Sequence, residues 1–371
     1  MKQYVASHLK DMNRRTVYQI FEEKETLSRA EVSRITGISA PTILKITSHM
    51  MKKNILFEIG EGESDLGRKP LLLKFNPEAS YTIGIDFQNE YIILGIVDLK
   101  GEIKGINKIQ ISSSFIDILK SDLKFYIENL IKEYNIDISK ILSVGIGIPG
   151  VVNSDEYIIN VAPAIGITKQ VNISHEIKSL SDYFNLPIYI ENDVNAAAVG
   201  EFNLRNKNSY NHLVYLTIGN GVGAGIILNK SLYKGTRYAA GEVGYMIFDK
   251  NSQTVKEDRG WLEKQIDFNT VCNLSVNESH NNQIQIILDQ VTSYTALCIA
   301  NIASVLDIET FIVGGDLPNM LKKPFFNKLE EYTNKFCLNN ILIERQKSDF
   351  PTLVGVATIA RINSIDILLA D

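Results

Sequence analysis

The sequence predicts an α/β fold, with a small helical head followed by a larger body in which strands and helices alternate. Three observations support this prediction. The first 79 residues contain three amphipathic helical stretches followed by two short β-rich runs. The remaining residues give a group of strands followed by alternating helices and strands, and this order occurs twice. Finally, the segment from Pro187 to Glu201 passes directly from an apolar strand into a helix of small residues. We therefore expect a head over residues 1–79 and a body over residues 80–371.

The head contains the start and stop signals of three helices. Apolar residues recur at helical spacing from Leu9 to Phe21, which predicts the first helix. Ser28-Arg-Ala-Glu31 has the capping-box pattern that starts a second helix, and Gly37 can adopt the left-handed conformation that ends it. Ser39 can then cap a third helix. Two helices joined by so short a turn predict a helix-turn-helix.

The third helix has one apolar face and one polar face. Ile43, Ile46 or Thr47, and Met50 should pack inward. The opposite face of such a helix enters the major groove of DNA, and it predicts these candidate DNA-contacting residues: Ser39, Pro41, Thr42, Lys45 and His49. A helical hairpin with a solvated outer face would show the same pattern.

The next segment favours the DNA-binding alternative. Two strand-like runs over 55–60 and 70–75 are separated by a charged, glycine-bearing stretch, and together they predict a β-hairpin wing. Arg68 and Lys69, beside Gly67, can enter a minor groove, where narrow A·T-rich sequence attracts basic side chains. The charge distribution agrees: residues 1–79 hold 13 Lys+Arg against 10 Asp+Glu, although the whole chain has a net charge of -5. A random surface could also produce this asymmetry.

The cysteines and the apolar pattern bear on cellular location. Cys272, Cys298 and Cys337 have no paired spacing, which predicts reduced core residues in a cytoplasmic protein. The amino terminus is polar, without the apolar run of a secretion signal, and we expect no continuous apolar run long enough to span a membrane.

The body is predicted to have two lobes with a cleft between them. Strands over 81–86, 91–98 and 102–111 form an antiparallel meander, followed by a helix over 115–134 and a buried strand over 141–148. The second set consists of strands over 212–219, 225–228 and 310–313, helices over 288–306 and 318–338, and a closing helix over 353–369. The first lobe should comprise about 80–191 with the closing helix, and the second about 192–352.

Polar residues lie where a ligand would bind in such a fold. Glu191, Asn192 and Asp193 fall at the carboxyl end of a strand, the edge at which open α/β sheets bind ligands. On spacing alone, Asp193 could equally cap the following helix. A glycine ladder over 216–227 and the segment Ala240-Gly-Glu-Val-Gly-Tyr245 favour the ligand site.

These segments resemble the sugar pocket of the ROK family (repressor, open reading frame, kinase) of bacterial sugar kinases and sugar-responsive repressors. The head, including the wing segment from Gly60 to Pro77, looks like the winged helix of the repressor branch of that family, which includes xylose repressors. The resemblance implies a two-lobed actin-like ATPase (ribonuclease H-like) sugar-kinase fold. It also implies sugar contacts at the following positions: Asn192, Asp193, Glu242, Tyr245 and Glu263.

The chain departs from the family's kinases at the phosphate loop. Where they carry Asp-x-Gly-Gly-Thr, this chain has Asp86-Phe-Gln-Asn-Glu90, so we expect neither ATP binding nor catalytic residues. An asparagine that contacts sugar in the family corresponds to Ala164 here. The family's zinc site is also altered, with Tyr245 in place of its histidine and no cysteine over 257–263, so zinc is not expected. Trp261 should fill the core.

The resulting hypothesis is a cytoplasmic, sugar-responsive transcriptional repressor of carbohydrate genes, with xylose or a xylo-oligosaccharide as a candidate effector. We expect a homodimer or tetramer that binds an A·T-rich palindromic operator in double-stranded DNA and has no membrane partner. The closing helix should lie where head and body meet, beside a hinge at Asn76-Pro77. One alternative is an active sugar kinase fused to a DNA-binding head, and another is a repressor whose body responds to a protein partner.

Overall fold

The head is a winged helix-turn-helix in the computed structural model, which describes residues 6–61, 70–205, 210–252, 259–266 and 281–370. Its elements are α1 (Ala6–Lys24), β1 (Thr26–Ser28), α2 (Arg29–Thr36), α3 (Ala40–Lys52), β2 (Leu56–Glu61) and β3 (Leu71–Phe75). The strands form one antiparallel sheet in the order β1-β3-β2. The three helices and the hairpin are confirmed, whereas the short strand β1 was not predicted.

Two of the three predicted helix signals are confirmed. The Ser28 hydroxyl accepts from the amide of Glu31 at 3.2 Å, and the Glu31 carboxylate accepts from the amide of Ser28 at 2.8 Å. Gly37 ends α2 with a φ of 69°. The prediction for Ser39 is wrong, because its hydroxyl caps no backbone amide and instead lies 2.9 Å from the Thr42 hydroxyl. Pro41, in the first turn of α3, has no amide hydrogen to donate.

The first lobe is built on a five-stranded mixed sheet. Its strands are β4 (Tyr81–Phe87), β5 (Tyr91–Asp98), β6 (Ile103–Gln110), β7 (Ile141–Ile148) and β11 (Ile188–Asn192), in the order β11-β7-β4-β5-β6. The meander β4-β5-β6 is antiparallel as predicted, and β7 and β11 run parallel to β4.

Helices and a small second sheet cover this lobe. The predicted helix is present as α4 (Phe115–Asp117), a π-helical turn (Ile118–Asp122) and α5 (Leu123–Glu133). The chain also forms three strands and a helix that were not predicted: β8 (Val151–Asn153), β9 (Ile158–Val161), β10 (Val171–Asn172) and α6 (Ser174–Phe184).

The second lobe repeats the architecture. Helix α7 (Asp193–Asn203) leads into β12 (Leu213–Ile218), β13 (Val222–Leu228), β14 (Ser231–Leu232), α8 (Trp261–Gln265), α9 (Asn281–Leu306), β15 (Thr310–Gly314), α10 (Asp316–Phe336), β16 (Leu342–Arg345) and α11 (Pro351–Leu369). The sheet order is β14-β13-β12-β15-β16. Of these elements, β14, α8 and β16 were not predicted.

Helix α11 lies directly on the sheet of the first lobe because glycines leave room for its backbone. A Cβ atom on Gly145 of β7 would stand 2.2 Å from the carbonyl oxygen of Val356, and one on Gly84 of β4 would stand 2.4 Å from that of Leu353. On its other side, a Cβ on Gly355 would stand 1.7 Å from the carbonyl oxygen of Ala196 in α7. The closing helix is therefore wedged between the first sheet and α7, and most of its residues are buried.

Within the described residues, two helices are long and apolar enough to cross a membrane by length and composition alone, although neither is a continuous apolar run. They are Gln285–Leu306 and Pro351–Leu369, and 50% and 61% of their most apolar windows are buried inside the protein. The packing of α11 between the sheet and α7 accounts for its apolar composition. Of the cysteines, Cys298 lies in the core as predicted, Cys337 is only half-buried at the end of α10, and Cys272 lies outside the described residues.

Candidate functional site

The junction of β11 and α7 shows which residue caps the helix. Asn192, not Asp193, caps α7, because its Oδ1 accepts from the amide of Asn195 at 2.8 Å. The Nδ2 of Asn192 donates to the carbonyl of Gly150 at 2.8 Å, which fixes the strand end against the loop after β7. Asp193 is the first residue of α7, and one of its carboxylate oxygens accepts from the amide of Val194. Its carboxylate is therefore not required as the helix cap.

Four carboxylates lie close enough to influence one another in the cleft between the lobes. The pKa of Asp193 is raised to about 7, mainly by burial, with the charges of Asp86 and Glu242 contributing to the rise. Burial raises the pKa of Asp86 to about 6, while a hydrogen bond from Gln88 opposes this. The pKa of Glu242 is also raised, first by burial and then by the charge of Glu263. Asn192 belongs to the same group, since its Nδ2 donates to Asp193 at 3.0 Å, so the structure brings together four of the five predicted sugar contacts and adds Asp86 to them.

Glycines allow the second lobe to present its two carboxylates. Gly241, with a φ of 89°, lies so close to β13 that a Cβ on it would stand 1.7 Å from the carbonyl oxygen of Ala224. Glu242 follows directly. Glu263 projects from α8 with its Oε1 3.6 Å from where a Cβ on Gly221 would stand. The glycine ladder therefore makes room for the acidic residues of the site.

Tyr245 and Trp261, two further residues singled out in the sequence, lie in different surroundings. Tyr245 ends a short 3-10 helix, Val243–Tyr245, and is 49% exposed, and Glu242 at the start of the same turn is also exposed. Trp261 packs edge-on against Phe248 and Tyr294, with ring centroids 5.8 and 5.4 Å away. Trp261 is half-buried and packs against the core of the second lobe, which agrees with a packing role.

Acidic side chains lie at the loops that would face nucleotide phosphates in a kinase of this fold. A Cβ on Gly219, in the glycine ladder over 216–227, would stand 3.0 Å from Oδ2 of Asp316, so a carboxylate faces this segment. The amide of Gly315 donates to Oε1 of Gln346 at 3.0 Å, so it already has a partner. Glu90 is exposed at the end of the altered first loop. Negative charge at these places would repel a triphosphate.

The zinc expectation remains a prediction. Within the described ranges, no three His, Cys, Asp or Glu side chains form a group that could hold a metal ion. Part of the segment that corresponds to the family's zinc loop, residues 253–258, lies outside those ranges.

The predicted DNA-facing surface is presented by α3. Ile43, Ile46, Thr47 and Met50 are buried, and Pro41 and Lys45 are exposed on the opposite side. Thr42 and Lys45 line a groove of about 410 Å³ that they share with α1 residues not predicted to lie there: Leu9, Lys10, Asn13 and Arg14. Arg68 and Lys69 of the wing lie outside the described residues.

His49 is placed differently from the prediction. Its Nε2 lies 3.2 Å from the carbonyl oxygen of Leu369, at the end of α11. It therefore contacts the body rather than facing a DNA groove. The spacing of α3 could not reveal this, because the partner is 320 residues away in sequence.

The head is docked on α11, as predicted, through one buried charge and an apolar cluster. Arg361 is 4% exposed, forms an ion pair with Glu22 of α1 and lies 3.4 Å from the Tyr18 hydroxyl. Its second terminal nitrogen donates to Asn203, the last residue of α7, at 3.5 Å. Ile365 and Leu369 of α11 belong to the same apolar cluster as the core of the head.

The fold and the site together define a sugar-kinase-like protein with a carboxylate-lined cleft and a winged helix-turn-helix head. Residues 82–260 match the model of the ROK family, so the chain carries a ROK family domain, as its sequence motifs predict.

The most similar curated proteins found include several regulators. The chain is 32% identical to a xylose repressor from Bacillus spizizenii over 66% of its own length and 62% of the relative's length. It is 33% identical to a putative xylose repressor from a Caldicellulosiruptor species, over 66% and 60% of the two lengths. It is 20% identical to the Escherichia coli transcriptional dual regulator NagC, over 64% and 58%. The matches thus span less than two thirds of each relative.

Solved structures support the whole fold. A ROK family transcriptional regulator, described as a homologue of the E. coli Mlc protein, superposes with a TM-score of 0.80 at 22% identity and covers 98% of both chains. A ROK family glucokinase from Streptomyces griseus, solved with glucose and AMPPNP, covers 76% of this chain and 100% of its own, with a TM-score of 0.62 at 20% identity. The glucokinase thus matches only part of this chain, as expected for a kinase body that lacks the head.

Proposed function

We propose that this protein is a sugar-responsive transcriptional repressor of carbohydrate genes, acting in the cytoplasm on double-stranded DNA. The observation that carries the proposal is the position of α11, which contacts both the acidic cleft and the head. Near its amino end, the Thr352 hydroxyl donates to the carbonyl of Asp193 at 3.1 Å. Near its carboxyl end, Arg361 is paired with Glu22 of the head. One rigid helix thus links the two predicted binding sites.

The effector we propose is an uncharged sugar bound between Asn192 and Asp193 on one side and Glu242 and Glu263 on the other. Carboxylate and amide groups accept and donate hydrogen bonds to adjacent hydroxyls at fixed angles. The names of the similar regulators make xylose or a xylo-oligosaccharide the first candidates. Tyr245 would complete the site from its exposed edge only if the cleft closes.

The DNA partner we propose is an A·T-rich palindrome bound by a homodimer. Thr42 and Lys45 on α3 would contact base edges, and Arg68 and Lys69 would enter the minor groove. Two recognition helices must lie about 34 Å apart to occupy adjacent half-sites. A rotation of the lobes can therefore weaken operator binding although the sugar and the DNA never touch.

The required coupling is modest. A typical allosteric coupling is about 1–3 kcal/mol, which corresponds to a 5- to 150-fold change in affinity. By reciprocity, operator DNA must change the affinity for sugar by the same factor. Helix α11 has 19 residues and is therefore about 28 Å long, and along that length it contacts Asp193 near one end and Glu22 of the head further on.

The test combines two titrations. Fluorescence anisotropy of a labelled operator, with and without D-xylose or xylobiose, should show a fall in DNA affinity when the sugar is present. Calorimetric sugar titrations with and without saturating operator should give dissociation constants that differ by the same factor. Equal sugar affinities in the two titrations would exclude this allosteric account.

The kinase alternative has its own test. The carboxylate of Asp316 beside Gly219 and the altered loop ending at Glu90 both argue against a bound triphosphate. We therefore expect no sugar-dependent ATP hydrolysis in a coupled assay with a panel of sugars. Turnover on any sugar would favour the kinase.

A further inference from the structure

A strap of the second lobe crosses to the first lobe beside the proposed sugar site. We use "strap" for residues 233–240, which run from β14 to the segment carrying Glu242. Both ends are tied to the second lobe: the amide of Tyr233 donates to Ile226 at 2.8 Å, and the carbonyl of Gly241 accepts from Ala224 at 2.8 Å. The strap therefore moves with the second lobe.

The middle of the strap is bonded to the first lobe. The ammonium group of Lys234 lies 2.8 Å from Oε2 of Glu191 and donates to the Ser154 hydroxyl at 2.6 Å. The hydroxyl of Tyr238 donates to Asp155 at 2.8 Å. Ser154 and Asp155 lie in the turn between β8 and β9. The two lobes cannot separate at this point without breaking these contacts.

Glu191 makes the Lys234 contact more than a surface ion pair. Its side chain is only 2% exposed, and it sits one residue before Asn192 at the end of β11. Its Oε1 accepts from the amide of Asn192 at 3.0 Å and from the side chain of Asn195 at 3.4 Å. A buried carboxylate requires a counter-charge, and Lys234 forms its ion pair within the described part of the chain.

We propose that Lys234 is a positioning residue for the sugar site, a latch that fixes the separation between Asn192–Asp193 on one side of the cleft and Glu242 on the other. This inference rests on the proposed function, because it assigns those residues to sugar. Lys234 acts through Glu191. By pairing with that carboxylate, it ties the end of β11, which leads to Asn192 and Asp193, to the strap that leads to Glu242.

Removing the ammonium group should open this side of the cleft. Lys234→Met keeps most of the aliphatic stem but leaves Glu191 without its cation. We expect weaker binding of D-xylose, and because this contact lies within the protein, the worth of a hydrogen bond to a charged group, about tenfold to hundredfold in affinity, is the upper bound of the loss. Lys234→Arg, which keeps the charge, should restore most of the affinity. Lys230→Met is the matched control, since Lys230 is exposed in the turn before β14.

The experiment has two readouts on the full-length chain. Hydrogen exchange without sugar should be faster in Lys234→Met over 151–161 and 233–240, and unchanged in α3. Calorimetry with D-xylose should show the weaker binding. Introducing Lys234→Met into a Glu191→Gln background should change both readouts little, because the buried charge is already absent.

The outcomes separate this inference from the proposed function. If Lys234→Met exchanges hydrogen at the wild-type rate over 151–161 and 233–240, the latch is overturned, whatever sugar binds. If hydrogen exchange is faster in Lys234→Met but the wild-type protein binds no D-xylose, the first result upholds the latch as a contact between the lobes. The second result counts against the choice of this sugar. An equal loss of sugar affinity in Lys230→Met would also overturn it, since that lysine lies outside the latch.

Discussion

Replacing Arg361 with methionine tests whether the head reads the state of the cleft through α11. Arg361 is buried between the lobes and the head, where it pairs with Glu22 and contacts Tyr18 and Asn203. Methionine preserves much of the packing of the stem but removes the charge. The change should loosen the docking of the head while leaving its own core intact.

The free energy lost in Arg361→Met follows from how deeply its ion pair with Glu22 is buried. Removing one partner of a buried ion pair costs about 3–5 kcal/mol, because the other charge remains without its partner. The side chain of Glu22 is 16% exposed, so it regains some water when the head lifts, and we expect the lower end, about 3 kcal/mol. A loss of this size matches the upper end of the about 1–3 kcal/mol of a typical coupling, so it is enough to disconnect the two sites.

The assay compares operator affinity with and without sugar. In Arg361→Met, the ratio of the two affinities should fall towards one, while the sugar dissociation constant measured without DNA stays near the wild-type value. The control is Asp366→Asn, which breaks the ion pair with Arg15 at the same junction. Those side chains are 58% and 45% exposed, so this pair contributes at most about 1 kcal/mol. A wild-type affinity ratio in Arg361→Met would refute the role of this contact.

Three further predictions concern pH, DNA recognition and packing. The pKa of Asp193 is raised from 3.8 to about 7 in the folded protein. Ionisation of Asp193 therefore lowers the free energy of unfolding: the loss develops between about pH 4 and about pH 7, is complete above that range and is absent below it. Asp193→Asn should therefore raise the midpoint of thermal unfolding at pH 8 and not at pH 4, and an equal effect at both would contradict the shift. Arg68→Ala should weaken binding to specific and scrambled duplexes alike and reduce the dependence of DNA affinity on salt concentration, whereas Lys45→Ala should change the ranking of operators. Salt-titrated DNA binding that is unchanged in Arg68→Ala would exclude the wing as a DNA element. Gly145→Ala should lower stability by about 1–3 kcal/mol or more in urea unfolding, because the added methyl would overlap the carbonyl of Val356, and a wild-type midpoint would show that α11 can move away at little cost.

Local signals determined much of the fold. The capping box at Ser28 and the left-handed Gly37 set the bounds of α2 through contacts only three or four residues apart. The apolar face of α3 and the meander over 81–111 likewise follow from helical and strand periodicity. Short elements such as β1 and β14 carry too few residues for a periodic pattern, so the sequence could not reveal them.

Family motifs located the acidic site, whereas local propensity did not. Spacing left capping and ligand binding equally open for Asp193, and the structure decided that Asn192 is the cap. Asp86 was considered only as part of an altered phosphate loop, although its carboxylate lies near enough to affect Asp193. A motif names positions along the chain but does not give the distances between them.

What the sequence alone determined is therefore what depends on neighbouring residues: the helix-turn-helix, the order of strands and helices, and the loss of the phosphate-loop glycines. The tertiary structure decided how distant residues are paired. His49 contacts Leu369, Arg361 contacts Glu22 and Lys234 contacts Glu191, over separations that no periodicity records. Each is a polar contact that depends on which surfaces the packed helices and sheets bring together, and a polar residue in the sequence looks the same whether water or a distant partner satisfies it.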